Sequence, residues 1–186
     1  MIEPLFVAAF PALFIVVLSA GGAALRRRQI DMDGTPPIDR NLFLLSKLAI
    51  IIPWAAMILQ SLGLNLSLAG GPRLLKLISL GLWASGFALL STGRLGMGSS
   101  FRVGCPKDPT ALRASGLFRY SRNPMYLGMY TTLLASTLYT KNPLILLVGV
   151  FVIAVHHRIV LAEEACLRRT FGQEYVDYCH RVRRYL

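Results

Sequence analysis

The sequence predicts an all-α integral membrane protein with about five transmembrane helices, the last two a helical hairpin, plus a C-terminal amphipathic cytoplasmic helix. Three observations predict it. Hydrophobic residues make up 54% of the 186 and charged residues 16%, with a mean hydropathy of +0.54, which is too apolar for a water-soluble domain. The apolar residues come in long blocks, and about 20 residues at ~1.5 Å rise cross a ~30 Å hydrocarbon core. Finally, basic residues flank these blocks instead of striping one face. The net charge of +11 therefore reflects membrane topology, and no nucleic-acid partner is expected.

The first predicted span runs from about Pro4 to Leu25 and stops at Arg26, Arg27 and Arg28. It lacks the basic leader of a cleaved signal, so it reads as a retained first helix with its N-terminus outside. In the linker QIDMDGTPPIDR, Gly34 and Pro36-Pro37 forbid a continuous helix. A second span covers roughly Leu42 to Leu62, and Gly70, Gly71 and Pro72 then turn the chain. The third, Leu74 to Thr92, carries small residues (Gly81, Ala84, Ser85, Gly86, Ala88) suited to close helix packing. From Gly93 to Asn123 the chain is polar, basic and too long for a simple turn. The hairpin follows, Pro124 to Tyr139 and Leu144 to Leu161, joined by TKNP, and the charged remainder is amphipathic and not a span.

Of the 20 lysines and arginines, only Arg73, Lys76 and Lys141 fall outside in this arrangement. That bias puts the C-terminus and the polar loops in the cytoplasm. Cys105, Cys166 and Cys179 form no CxxC pair and read as reduced cytoplasmic thiols. Two units are expected: a three-helix transmembrane part over 1–92, and a functional core of loop, hairpin and tail over 93–186.

The unusual polar residues gather in that second unit. Asn123-Pro124 has the form of an N-cap followed by proline at the first helical position. The same helix start offers free N–H groups to a carboxylate or phosphate, with Arg119, Arg122 and the Tyr126 phenol nearby. Glu163 and Glu164 are either solvated surface acids or partners for an ammonium group or ribose hydroxyls. Arg158 either snorkels to headgroups or steadies a substrate carboxylate, although on a straight helix it points away from Glu163. His156 and Glu163 share a face, but two turns, ~10.5 Å of rise, separate them, so no metal is expected. No GxGxxG, P-loop or GxSxG pattern is present. Phe171, Tyr175 and Tyr178 form one face of the tail, which either packs under the bundle or closes over a ligand.

The run LRASGLFRYSRNPMYLG, then R-x4-EE at Arg158, Glu163 and Glu164, then L-x3-FG-x-EY-x2-Y-x3-VRR, resembles the isoprenylcysteine carboxyl methyltransferase and phospholipid methyltransferase family of integral membrane enzymes. The resemblance covers roughly residues 90–186. It implies S-adenosylmethionine as cofactor, entering from the cytosol. It also implies cofactor contacts at Leu112, Gly116, Arg122, Asn123, Tyr126, Glu163, Glu164 and Tyr175, and a catalytic pair of Arg158, near the methyl acceptor, and Glu163. Asn123 stands where the family motif has histidine; it donates a hydrogen bond but does not titrate near neutral pH.

The implied activity is methyl transfer to a membrane-embedded or apolar acceptor arriving sideways from the bilayer, with an isoprenylcysteine-type carboxylate as the leading acceptor. A phospholipid amine or small thiol is the alternative within this class. Two other classes stay open: a reductase-like relative binding a nicotinamide cofactor, and a non-catalytic protein whose basic tail binds anionic lipid.

Overall fold

The computed structural model describes residues 2–29, 35–102 and 111–186. The described residues are almost entirely helical. Their elements are α1 (Ile2–Arg27), α2 (Arg40–Ala49), α3 (Ile51–Ser61), α4 (Arg73–Met97), α5 (Pro124–Thr140), α6 (Pro143–Phe171) and α7 (Gln173–Arg181), with short 3-10 turns at Gly98–Ser100 and Gly116–Arg119. Cys105 and Lys107, which enter the thiol and charge expectations, lie outside the described residues.

Four segments are long and apolar enough to cross a membrane: α1, α2 with α3, α4 with its following turn, and α6. This is an integral membrane protein. At 17 residues, α5 is shorter than these four.

The predicted elements differ from the observed ones mainly at their ends. The second block is two helices meeting at Ile50. Pro53 has no N–H to donate to the Ala49 carbonyl, which breaks the ladder there. Asp39 caps α2 by accepting from the Asn41 and Leu42 amides at 3.0 Å each. Helix α4 runs past Thr92 to Met97 and stops where Gly98 takes φ +51. Helix α6 runs ten residues past Leu161, so Glu163 and Glu164 lie inside a regular helix rather than beyond it. Gly172, with φ +54, then turns the chain into α7.

Helix α5 stands in the middle, packed on α3, α4 and α6, while α1 leans on α3 and α4, and α2 on α6. Helices α4 and α5 cross closely through Gly86 and Gly128: a Cβ on Gly86 would lie 2.8 Å from the Gly128 carbonyl oxygen. Of the small residues expected to serve packing, Gly81 instead faces open space.

An aromatic cluster ties α1, α3, α4 and α5 together. Trp83 is fully buried and donates to the Val7 carbonyl at 2.9 Å. Trp54 donates to the Thr132 hydroxyl at 3.0 Å, and Phe87 lies between the two indoles. Each indole N–H thus has a hydrogen-bond partner within the bundle. Leu13, Leu45, Leu77 and Leu147 face outward as the lipid surface.

Candidate active site

A cavity of about 540 Å³ lies at one end of the bundle. Its polar wall comes from the start of α5 and the last third of α6, with Asn123, Tyr126, Glu163 and Glu164. Its apolar wall comes from the N-terminal helices: Phe14 and Leu18 of α1, Phe43 of α2 and Trp54 of α3. Leu112, Leu167, Phe171 and Tyr175 line a third side, and Lys47 of α2 adds a cation whose ammonium sits 3.9 Å from the Phe43 ring centre.

Two carboxylates anchor the polar wall differently. Glu163 accepts from the Tyr126 hydroxyl at 2.9 Å. Glu164 is buried and accepts from the Arg122 Nε and Nη2 at 3.0–3.2 Å, from the Asn123 amide at 3.1 Å, and from Arg184 at 2.9–3.0 Å. Arg122 Nη1 donates to the carbonyls of Cys179 and Val182, so every nitrogen of that guanidinium is engaged. Arg122 therefore braces the C-terminal segment against α6.

Further bonds hold the same segment. The Arg122 amide donates to the Arg183 carbonyl at 2.9 Å, and the Asn123 side-chain amide to the Arg184 carbonyl at 3.2 Å. Tyr185 reaches between Tyr130 and the His157 ring, with oxygen-to-Nδ1 spacing of 2.8 Å at the histidine. Its bond to Glu164 holds the Arg184 guanidinium above the ordinary arginine range. The Tyr178 hydroxyl donates to the Phe118 carbonyl at 2.6 Å, pinning the 3-10 turn to α7. Burial raises the phenols of Tyr175 and Tyr178, the latter to about 12.

Asn123 occupies the N-cap of α5 but makes no side-chain cap, because its amide is turned toward Glu164. The first amides of α5 consequently have no side-chain acceptor. Leu112, Arg122, Asn123, Tyr126, Glu163, Glu164 and Tyr175 all line the cavity. Two expected residues do not. Gly116 begins the 3-10 turn at φ +61 with open space beside it, and Arg158 is exposed on α6.

Sequence reasoning gave no role to Arg184 or Tyr185, although the VRR signature contains the first. It also missed the wall contributed by α1 to α3, whose apolar residues look like any other lipid-facing run. Among the described residues, no three of His, Cys, Asp and Glu cluster as metal ligands; His156 is buried, its Nδ1 2.9 Å from the Val152 carbonyl oxygen.

The residues fit an adenosylated amino acid by their chemistry: the Glu163 carboxylate for an ammonium or hydroxyls, uncapped amides for a carboxylate, and aromatic and leucine side chains for a base. Comparison with known proteins agrees with a methyltransferase. The structure of the eukaryotic intramembrane Ras methyltransferase ICMT (isoprenylcysteine carboxyl methyltransferase) is similar, with a TM-score of 0.59 and 20% identity over 98% of this chain and 70% of that one. This likeness establishes a shared fold. No curated protein matches the sequence. The family model for phospholipid methyltransferase matches residues 74–174, more than half of the chain, and the chain belongs to that family of membrane methyltransferases.

Proposed function

We propose that this chain transfers a methyl group from S-adenosylmethionine, bound at the polar wall of the cavity, to an acceptor whose apolar chain lies against α1, α2 and α3. The observation that carries the reading is the continuity of one cavity from Glu163 and Glu164 to Phe14, Leu18 and Trp54. In this reading residues 93–186 form the methyltransferase core and 1–92 the acceptor wall. The bias of basic residues supports an N-terminus outside, with the site and C-terminus cytoplasmic.

Glu163, oriented by Tyr126, holds the amino group or ribose of the cofactor, and Glu164, satisfied by Arg122, Asn123 and Arg184, fixes the wall beside it. The uncapped amides at the start of α5 take its carboxylate, while Leu112 and Tyr175 flank its adenosine. Bound S-adenosylmethionine supplies an electrophilic sulfonium methyl, so the protein's task is alignment and exclusion of water. The leading acceptor is a carboxylate of the isoprenylcysteine type, which attacks as an anion and needs no general base. A phospholipid amine, which the family match favours, must be neutral before attack, and Glu163 would accept its proton.

Calorimetric titration of the folded, detergent-purified protein with S-adenosylhomocysteine tests the reading. Micromolar binding that weakens roughly tenfold or more in Glu163→Ala is expected. Absence of binding to the folded protein would overturn it.

A further inference from the structure

An acceptor that carries a carboxylate or phosphate needs a cation to orient it, and Arg158 is exposed and outside the cavity lining. Two other arginines do line the cavity. Arg102 and Arg113 stand on either side of the segment that follows α4, and both are tied to the same turn. Arg102 Nη1 donates to the carbonyls of Ser99 and Phe101 at 2.8 and 2.9 Å. Arg113 Nε donates to the Ser100 hydroxyl at 3.1 Å. These bonds fix the backs of both guanidiniums through one edge each and leave other N–H groups unspent.

The unspent donors have no counterion among the described residues. Among the described residues neither arginine forms an ion pair, and the buried Nε of Arg102 has no hydrogen-bond partner. Behind them Arg94, 2% exposed, stacks 4.2 Å over the Phe101 ring and leaves its own Nε and Nη2 without partners. Three guanidiniums around one turn, unmatched by any carboxylate among the described residues, form a concentration of positive charge of the kind that a bound anion relieves. Arg122, the third arginine that lines the cavity, is already matched by Glu164.

The turn also lies on the side of the cavity expected for the acceptor. Met97 and Phe101 line the cavity together with Leu18 of α1, and the Arg94 guanidinium packs on α1 at Gly21. Glu163 and Glu164 come from α6, across the central α5.

We propose that Arg102 and Arg113, backed by Arg94, form an oxyanion subsite that binds the carboxylate or phosphate of an amphiphilic acceptor and orients it for methyl transfer. Guanidinium forks bind both oxyanions in the same way, so the subsite is defined by that shared chemistry. The proposal rests on the methyltransferase reading for its purpose, but its binding chemistry is tested separately.

The test measures binding of decyl phosphate, decanoate and decanol to the purified protein, read by fluorescence of Trp54, which lines the cavity, in a Trp83→Phe background. S-adenosylhomocysteine is titrated in parallel. One or both anions should bind about tenfold tighter than decanol, and Arg113→Gln and Arg102→Gln should each remove most of that preference. The phosphate and carboxylate arms then tell which oxyanion the subsite prefers. Arg26→Gln/Arg27→Gln, an equivalent or larger loss of charge at exposed positions, should leave the preference intact. S-adenosylhomocysteine affinity should stay unchanged in Arg113→Gln, which also reports that the variant is folded. Equal binding of all three amphiphiles, or a preference that survives both substitutions, overturns the subsite. A loss confined to S-adenosylhomocysteine overturns its assignment to the acceptor. If S-adenosylhomocysteine fails to bind the unmodified protein while the anion preference holds, the functional reading falls and the subsite stands.

Discussion

The Tyr126 hydroxyl and the Glu163 carboxylate meet at 2.9 Å, joining the first turn of α5 to α6 across 37 residues of sequence. This bond fixes which way Glu163 faces at the polar wall. Tyr126→Phe should weaken S-adenosylhomocysteine binding about tenfold, the worth of one charge-assisted hydrogen bond, while leaving thermal stability nearly unchanged. Calorimetric titration beside a melting curve separates the two effects.

Glu164 should matter to stability far more than Arg184 does. Glu164→Ala leaves Arg122, only 11% exposed, as an uncompensated charge, at a cost of about 3–5 kcal/mol. Arg184, 36% exposed, contributes through a more hydrated pair, so Arg184→Ala should cost about 1 kcal/mol. Reactivity of the buried Cys166 thiol during thermal unfolding in detergent reports the difference; equal effects would refute the brace.

The close crossing of α4 and α5 gives a contrast between two glycines. A Cβ at Gly86 would press on backbone, at 2.8 Å from the Gly128 oxygen, and Gly86→Ala should cost about 1–3 kcal/mol. At Gly93 the nearest atom is the Met125 Cγ at 2.6 Å, part of a flexible side chain that can turn aside. Gly93→Ala should therefore be the milder change in the same melting assay.

Tyr178 predicts an alkaline limit. Burial raises its phenol to about 12, above the ~10 of an exposed tyrosine, so the folded state holds this proton more tightly than the unfolded chain. Its contribution is complete below pH ~10 and is lost as pH rises from there through about 12. Tyr178→Phe should flatten that part of the stability profile, at the cost of the bond to Phe118.

Much of this was readable from sequence because bilayers impose coarse constraints. Apolar length marks the long helices, and Pro124 and Pro143 mark two helix starts. The extension of α6 through Glu163 and Glu164 was not readable, since charged residues there resemble the end of a span. Only the pairing of Glu164 with Arg122 and Arg184 shows why a helix can continue through them. The Arg122–Glu164 pairing was hidden for a similar reason: each residue separately suits a ligand, and sequence cannot reveal that they satisfy one another. The subdivision at Ile50 was available from Pro53 and needed only its missing amide to be followed back to Ala49.

Only two residues, 141 and 142, link α5 to α6. So short a link keeps the two helices side by side, with Arg122 at one foot and Glu164 at the other. At that end the two charges neutralise one another where the helices leave the apolar part of the bundle. Residues 182–184, some 60 positions along the chain from Arg122, supply the rest of the brace. The polar wall is thus a joint between two distant stretches of chain, complete only with the tail in place on the hairpin.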